Sequence, residues 1–268
     1  MPAKVKEVNW EEIDLTNGYL FTAVMQNKYL CKLLIKRLLP NSGITEIEYL
    51  EIEKTMKPRY ESKGVRLDVY IKDQDEVAYN LEIQIKDTKE LQKRARYYQS
   101  MIDLVSLPKG QFYSKLKKNY VVFICLEDVF GEGRYSYVFE NICVEADNLK
   151  LDDGTYKIFF NTKGTRGKVS QEVKNFLLYL EDGEVGSDPF IKELDNETNR
   201  IKNNNEWRKG YMTQQMRDLE KIEEGEVRGA YKTALKVAKK LFGKGMADEE
   251  VAEIAELPLD VVKDLKMG

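Results

Sequence analysis

Two carboxylates and an amide occupy positions where two short strands would bring them together. Asp68 lies in the run Val65–Ile71, and Glu82 and Gln84 lie in the run Tyr79–Ile85. In both runs apolar and polar residues alternate, which is typical of strands with one buried face, so the three polar side chains share the other face. Two close carboxylates repel each other unless a cation lies between them. Because carboxylates and phosphate oxygens are the usual ligands of Mg²⁺, the pattern predicts a metal-dependent phosphodiesterase site.

The turn Lys72–Glu76 limits how the two runs can pair as a hairpin. Both apolar sets fall on one face only in registers where the partner residue numbers have an even sum, and sums of 148 or 150 leave a turn of ordinary length. In either register Asp68 and Glu82 are direct or diagonal neighbours, with side chains roughly 5 to 8 Å apart. The alternative is a solvated hairpin face without a function, which is common in amphipathic hairpins.

Several motifs in and around these runs also point to a known family. Asp68, a gap of 13 residues and then Glu-x-Gln resembles the PD-(D/E)xK nuclease core, with Gln84 where many members carry lysine. The chain is similar to the Rpn family of recombination-promoting nucleases, also called PD-(D/E)xK family transposases. The segments that carry this similarity are 63–70, 80–84, 93–100, 107–113, 120–125, 161–164 and 206–208.

The resemblance implies an α/β, restriction-endonuclease-like fold in which a central mixed sheet, in the order αβββαβ, is flanked by helices. It also implies a metal-dependent DNA endonuclease linked to recombination, mobile elements or phage biology. The alternative function is that of a catalytically weakened member, which acts as a nucleic-acid-binding or oligomeric interaction module.

The implied mechanism assigns a role to each residue of the motif. Asp68 and Glu82 hold Mg²⁺, or Mn²⁺ or Ca²⁺, and the backbone carbonyl of Ile83 completes the coordination. Gln84 can orient water or a phosphate oxygen but supplies no positive charge. Arg94, which matches the arginine of the family's Arg-x-x-x-Tyr motif, is the candidate for that charge, with Tyr98 on the same helical face. The alternatives are a structural salt bridge for Arg94 and core packing for Tyr98.

One position departs from the superfamily, in which many nucleases carry a further acidic residue on the first helix. Here that stretch, residues 16–21, has no acidic side chain. Asn17 or Asp14 could substitute for it, and Glu53 or Glu48 could approach from the following strand. A site weakened in this way fits the alternative function.

Composition narrows the chemistry further. The 268-residue chain has no histidine, which excludes Ser-His-Asp and Cys-His triads and most zinc sites. We expect Cys31, Cys125 and Cys143 to be buried free thiols, since they lie singly in apolar surroundings. No apolar run is long enough for a membrane helix, and the N-terminus lacks the apolar region of a signal peptide. A cytoplasmic protein without membrane contact is therefore expected.

Positive charge is concentrated after the second run, although the net charge is −3. From Lys86 to Lys118 there are nine basic residues and three acidic ones, an excess to which a phosphate backbone could bind. The alternative is a solvated helix face. The candidate nucleic-acid contacts are Lys86, Lys89, Lys93, Arg94, Arg96 and Tyr98.

Periodicity and turn residues predict the elements that position these side chains. The predicted helices cover residues 17–39, 89–107, 112–116 and 170–180, the last with Ser170 as its N-cap, and the predicted further strands cover 44–52, 120–126, 135–145 and 156–160. Residues 54–63 are predicted to form a loop that leads into the hairpin.

Composition also predicts two domains, a nuclease-like domain over residues 1–195 and a charged helical extension over 196–268. The extension is expected to end in a degenerate helix-turn-helix, with a helix over 249–256 capped by Asp248. The following segment, 260–266, has two lysines and two aspartates, which suits packing better than base recognition. A homo-oligomer formed through these C-terminal helices is therefore expected.

Overall fold

The computed structural model describes residues 9–57, 63–86, 88–146 and 148–267. Their helices and strands are α1 (Gly18–Met25), α2 (Lys28–Leu38), β1 (Ile47–Met56), β2 (Val65–Asp73), β3 (Ala78–Gln84), α3 (Leu91–Ser106), β4 (Asn119–Cys125), β5 (Ser136–Phe139), β6 (Thr155–Asn161), α4 (Gln171–Asp182), α5 (Pro189–Lys202), α6 (Asn205–Phe242), α7 (Asp248–Ala255) and α8 (Leu259–Met267). The predicted helix at 112–116 is a single 3-10 turn, Tyr113–Lys115.

The strands form one mixed sheet in the order β1-β2-β3-β4-β6-β5. The first three strands are antiparallel, whereas β4 lies parallel to β3 and β6 lies parallel to β4. The predicted α/β fold, a mixed sheet flanked by helices with three antiparallel strands followed by a helix and a parallel strand, is confirmed. Parallel pairing requires a crossover, and α3 provides it between β3 and β4.

The register of the β2–β3 hairpin is one of the two that alternation allowed. Val69 pairs with Leu81 and Tyr70 with Asn80, so the partner numbers add to 150. The first and last residues of several strands differ from the predicted ones. In particular, Ile85 follows β3 and is 47% exposed, so its prediction as a strand residue of the apolar face is wrong.

The hairpin does not have the solvated polar face that the alternation indicated. Glu82 is 2% exposed and Asn80 is fully buried, because α3 lies over this face of the sheet. Tyr98 of α3 stacks on Phe123 of β4, with ring centroids 6.1 Å apart. The same face therefore contains both core aromatic residues and the acidic side chain of the motif.

The prediction of one helix over residues 17–39 is wrong, because the chain forms two helices there. The side chain of Asn27 accepts hydrogen bonds from the backbone N–H groups of Tyr29 and Leu30 and so caps the N-terminus of α2. Asn17 caps α1 in the same way. An asparagine inside an apolar helical repeat thus ends one helix and begins the next without glycine or proline.

Two strand predictions also need correction. β1 starts at Ile47 and extends to Met56, so part of the predicted 54–63 loop is strand, while residues 58–62 lie outside the described residues. The predicted strand over 135–145 ends at Phe139, because the chain then leaves the edge of the sheet and forms an isolated bridge between Ile142 and Lys150. The N-cap predicted at Ser170 is confirmed, since its side chain accepts a hydrogen bond from the Val173 N–H.

The chain divides into two compact units, one that ends at Trp207 and one that begins at Arg208. In the second unit the end of α6 packs with α7 and α8 around a small core of Ala238, Val251, Ala255, Leu257 and Val262. Asp248 is the first residue of α7 rather than its predicted cap, and Glu250 instead accepts a hydrogen bond from the N–H of the capping residue, Ala247. No helix among the described residues is long and apolar enough to cross a membrane.

Candidate active site

The β2–β3 ladder ends beside the two acidic residues. Its last backbone pair is Val69–Leu81, and beyond it the carboxylates replace ladder hydrogen bonds. The N–H of Asp68 donates to Glu82 Oε1 at 3.0 Å, and the N–H of Ile83 donates to Asp68 Oδ2 at 3.3 Å. Asp68 and Glu82 therefore face each other from adjacent strands, and each carboxylate is held by the backbone of the opposite strand.

Burial and mutual repulsion disfavour the charged forms of both acids. Burial raises the pKa of Asp68, and the hydrogen bond from Ile83 and the charges of Arg66 and Arg94 offset this only in part. Burial and then the charge of Asp68 raise the pKa of Glu82. The raised values mean that this pair, without a cation, tends to retain a proton near neutral pH.

A hydrogen-bond network from α3 contacts the same acids. Arg94 Nη1 donates to Gln84 Oε1 at 2.7 Å, and Arg94 Nη2 lies 3.4 Å from Glu82 Oε2 and 3.0 Å from the Tyr98 hydroxyl oxygen. The guanidinium also lies over the rings of Tyr98 and Phe123, 5.3 and 5.6 Å from their centroids. Gln84 Nε2 donates to the Lys86 carbonyl, which leaves the amide oxygen for Arg94.

Two structural features bear on whether the pair could hold a metal ion. Among the described residues, Asp68 Oδ1 accepts no hydrogen bond. Neighbouring carbonyls in a strand point in opposite directions, and Gln84 O accepts from Leu126 N on the β4 side, so the Ile83 carbonyl faces the β2 side. Within the described part of the chain no three acidic, cysteine or histidine residues cluster as metal ligands. Mg²⁺ usually uses only one or two carboxylates together with phosphate and water, so this donor set fits it.

The acids lie in a cavity of about 530 Å³ between the start of β2 and α3, which we call the carboxylate cleft. Basic side chains line it from both sides. Lys93, Arg94 and Arg96 come from α3, as the basic segment predicted, and Lys63 and Arg66 come from the opposite side. Sequence reasoning missed the latter two because they precede the motif, where two isolated basic residues do not stand out from the surrounding chain.

The predicted nucleic-acid contacts are therefore divided between two places. Lys93, Arg94, Arg96 and Tyr98 line the carboxylate cleft. Lys86 and Lys89 are exposed in the connection that precedes α3 and do not line it.

The four residues considered for a further acidic ligand differ in position. Asn17 caps α1, and Asp14 Oδ1 accepts from the backbone and hydroxyl of Thr16. Glu48 lies at an irregularity near the far end of β1. Glu53 lies opposite Asp68, because the pairs Ile52–Val69 and Lys54–Leu67 flank the two residues.

Glu53 is also electrostatically coupled to the site. Its charge contributes to the raised pKa of Asp68, and it forms an ion pair with Arg66 at 3.7 Å. Its φ of 49° is in the left-handed region, which breaks the regular strand at this point. Glu53 is thus an acidic side chain on β1 whose charge acts on Asp68.

The cysteines take no part in this site. Cys31 and Cys125 are buried thiols that form no disulfide with any residue that the structure describes, as predicted, and burial raises the pKa of Cys31 to about 12. The prediction of burial is wrong for Cys143, which is half-buried because the chain has left the sheet edge there, and its thiol contacts Glu145.

Comparison with protein families places most of the chain in a known family. Residues 12–241 match the family described as PD-(D/E)XK nuclease family transposase. The searches of curated proteins and of solved structures found no match.

Proposed function

The chain belongs to the PD-(D/E)XK nuclease family transposases, and from that premise we propose that it is a metal-dependent DNA endonuclease. The observation that supports this most strongly is the placement of Asp68 and Glu82. They face each other at the end of a ladder, both with raised pKa values, in a cleft lined by five basic side chains. A structural ion pair alone would not require two adjacent carboxylates in a cleft lined by basic side chains.

We propose that Asp68, Glu82 and the Ile83 carbonyl hold one divalent cation, Mg²⁺ or in its place Mn²⁺ or Ca²⁺. When bound, the cation polarises a phosphoryl oxygen and lowers the pKa of a water molecule toward neutrality. Holding the cation would require both carboxylates to be ionised, and its positive charge would compensate the charge that burial disfavours. Arg94 retains Gln84 and Tyr98 as partners when its long contact to Glu82 is given up.

Gln84 and Arg94 together supply what a lysine supplies in many relatives. A lysine at position 84 would place an ammonium next to the Arg94 guanidinium, whereas the glutamine presents an oxygen that accepts from Arg94 Nη1 at 2.7 Å. We therefore propose that Gln84 positions Arg94, and that Arg94 stabilises the negative charge that develops on the phosphate in the transition state. The Tyr98 hydroxyl is its second hydrogen-bonding partner.

The basic residues on both sides of the carboxylate cleft are proposed to hold the DNA backbone. Lys63 and Arg66 would contact phosphates on one side of the cut bond, and Lys93 and Arg96 on the other. The family's description as transposases supports a role in recombination or in the biology of mobile elements or phages.

Self-association through the C-terminal helices is also proposed. Along α6 six apolar residues are substantially exposed, each at least 37%. They are Met212, Met216, Leu219, Ile222, Val227 and Tyr231. The spacings of four, three and three residues place Met212, Met216, Leu219 and Ile222 on one side of the helix, and such a stripe is stabilised by a second helix.

A catalytically weakened binding module is the second candidate function. The observation that favours it is the contact of Arg94 with Glu82, together with the absence of an acidic ligand from α1. In that case the cationic cleft would bind nucleic acid without cutting it.

Cleavage of a supercoiled plasmid tests the first function against the second. Purified wild-type protein with Mg²⁺, Mn²⁺ or Ca²⁺ is expected to nick or linearise the plasmid, and EDTA is expected to stop it. Asp68→Asn, which keeps the side-chain shape, should lose at least about 100-fold in rate, since it removes a metal-binding charge. Glu193→Gln, an exposed acid on α5, is the matched control and should cleave like the wild type.

Equal cleavage by the wild type and Asp68→Asn would mean that a contaminant or another site cuts the DNA. Retention of DNA binding by a wild-type protein that never cuts under any of these metals would favour the second function.

A further inference from the structure

A second cavity of about 610 Å³ lies on the other flank of α3, and the proposed reaction does not use it. Three phenyl rings line it, from Phe130, Phe139 and Phe159, which we call the phenyl cluster. Their centroids are 5.0 to 5.8 Å apart. Phe139 is on the edge strand β5 and is 42% exposed, so an aromatic surface remains open at this cavity.

Polar groups are fixed opposite these rings. Gln99 Nε2 donates to Asn119 Oδ1 at 2.7 Å, and Asn119 Nδ2 donates to Asp103 Oδ1 at 2.6 Å. Gln99 and Asn119 are buried, so this chain of hydrogen bonds holds the Asp103 carboxylate in place. Asp103 lines the cavity, and among the described residues its Oδ2 accepts no hydrogen bond.

Two basic side chains, Arg96 and Lys157, line the cavity together with Asp103, Glu140 and Asp153. Lys157 is half-buried and forms no ion pair with any residue that the structure describes. Glu140 forms an ion pair with Lys150, whereas Asp153 accepts hydrogen bonds from the neutral side chains of Asn141 and Thr155. Arg96 lines both this cavity and the carboxylate cleft, so one guanidinium connects the two.

We propose that this second cavity holds one unpaired nucleobase of the DNA strand that is cut in the carboxylate cleft. A flat heterocycle can stack on Phe139, its N–H groups can donate to Asp103, and its flanking phosphates can contact Arg96 and Lys157. Because a paired base cannot leave the duplex without cost, the site selects single-stranded or frayed DNA. This inference rests on the proposed function, since it assigns the base to the substrate of that reaction.

Binding of a labelled single-stranded 15-mer in EDTA, measured by fluorescence anisotropy, tests the cavity without any metal or cleavage. Phe139→Ala should weaken binding about 5- to 100-fold, the usual effect of losing one stacked base. Phe112→Ala removes a 78% exposed phenyl ring outside the cavity and should leave the affinity unchanged. Binding of a blunt duplex should be insensitive to both substitutions.

An abasic scan identifies the base itself. One abasic position in the 15-mer should weaken binding to the wild type, and the same position should have no further effect in Phe139→Ala, because the two changes remove one interaction. Phe139→Trp provides a variant that keeps the aromatic ring, and its added emission should be quenched by the oligonucleotide.

Three results would overturn the inference: equal affinities of Phe139→Ala and Phe112→Ala, a flat abasic scan, or equal effects on duplex and single strand. Quenching of Phe139→Trp by dAMP as strongly as by the oligonucleotide would assign the cavity to a free nucleotide instead of the strand. If Asp68→Asn cleaves normally while Phe139→Ala loses binding, the nuclease proposal fails and the base site stands.

Discussion

Replacing Glu82 by glutamine should change how the stability of the metal-free protein depends on pH. Glu82 is 2% exposed, and burial is the main cause that raises its pKa from 4.5 to about 8. The fold therefore favours the protonated form. The contribution of Glu82 to the free energy of unfolding is complete below the pKa that it has in the unfolded chain. The contribution declines as the pH rises and is lost above the pKa that Glu82 has in the folded protein. The amide of Glu82→Gln would be neutral throughout and would show no such decline.

The magnitude follows from the same pKa. A tenfold change in proton affinity corresponds to about 1.4 kcal/mol, so ionisation of Glu82 would cost the folded state at most on the order of 4 kcal/mol at pH 8. Glu82 and Asp68 share this effect, because the charge of each disfavours the charge of the other. We expect the wild type to lose about 2 to 4 kcal/mol more than Glu82→Gln between pH 5 and pH 8.

Urea denaturation in EDTA at the two pH values measures this difference. At pH 8 without EDTA, free Mg²⁺ at ten times its Kd should return about 1.4 kcal/mol to the wild type and nothing to Glu82→Gln. Glu193→Gln, an exposed control, should behave like the wild type. Parallel pH curves for the wild type and Glu82→Gln, or equal stabilisation of both by Mg²⁺, would refute the reasoning.

Three further tests concern other parts of the chain. Gln84→Lys should lower the cleavage rate at least about tenfold, because the new ammonium repels Arg94. Adding Arg94→Gln should restore part of the lost rate. Full activity of Gln84→Lys in a plasmid assay would contradict this role of Gln84. Asp188→Ala should lower the free energy of unfolding in urea by about 3 to 5 kcal/mol, because it leaves the Arg37 side chain, which is only 10% exposed, without its bidentate partner; a loss below about 1 kcal/mol, which is typical of an exposed pair, would count against this. Arg37 holds the pKa of Asp188 well below its usual range. The stabilisation by this ion pair should therefore be present above the pKa that Asp188 has in the unfolded chain and disappear on acidification. Leu219→Lys should reduce the mass measured by light scattering, whereas Leu178→Lys on α4 should not; an unchanged mass would exclude the α6 stripe as the interface.

The centre of the site was predictable from sequence because local rules determine it. Alternation in two runs and the length of one turn limited the hairpin to two registers, and the structure adopts one of them. That register places Asp68 opposite Glu82 whatever the rest of the fold does. The spacing of Arg94 and Tyr98 on one helical face is equally local, and both contact each other in the structure.

Features that depend on distant contacts could not be predicted in the same way. The polar face of the hairpin is buried because α3 lies over it. The sequence of the hairpin alone does not indicate this packing. Lys63 and Arg66 face the basic residues of α3 only through tertiary packing. Asn27 caps α2 and so divides the predicted first helix in two. The sequence did not predict this break, because an asparagine within an apolar helical repeat can either cap a helix or point into solvent, and the spacing of the apolar residues does not distinguish the two cases.

Calorimetric titration of the metal-free protein with Mn²⁺ at pH 8 shows whether the facing acids bind a cation. We expect binding of one ion per chain with release of protons, weaker binding at pH 5.5, and no detectable heat for Asp68→Asn or Glu82→Gln. Unchanged binding in both variants, or no binding by the wild type, would mean that the two carboxylates do not form a metal site.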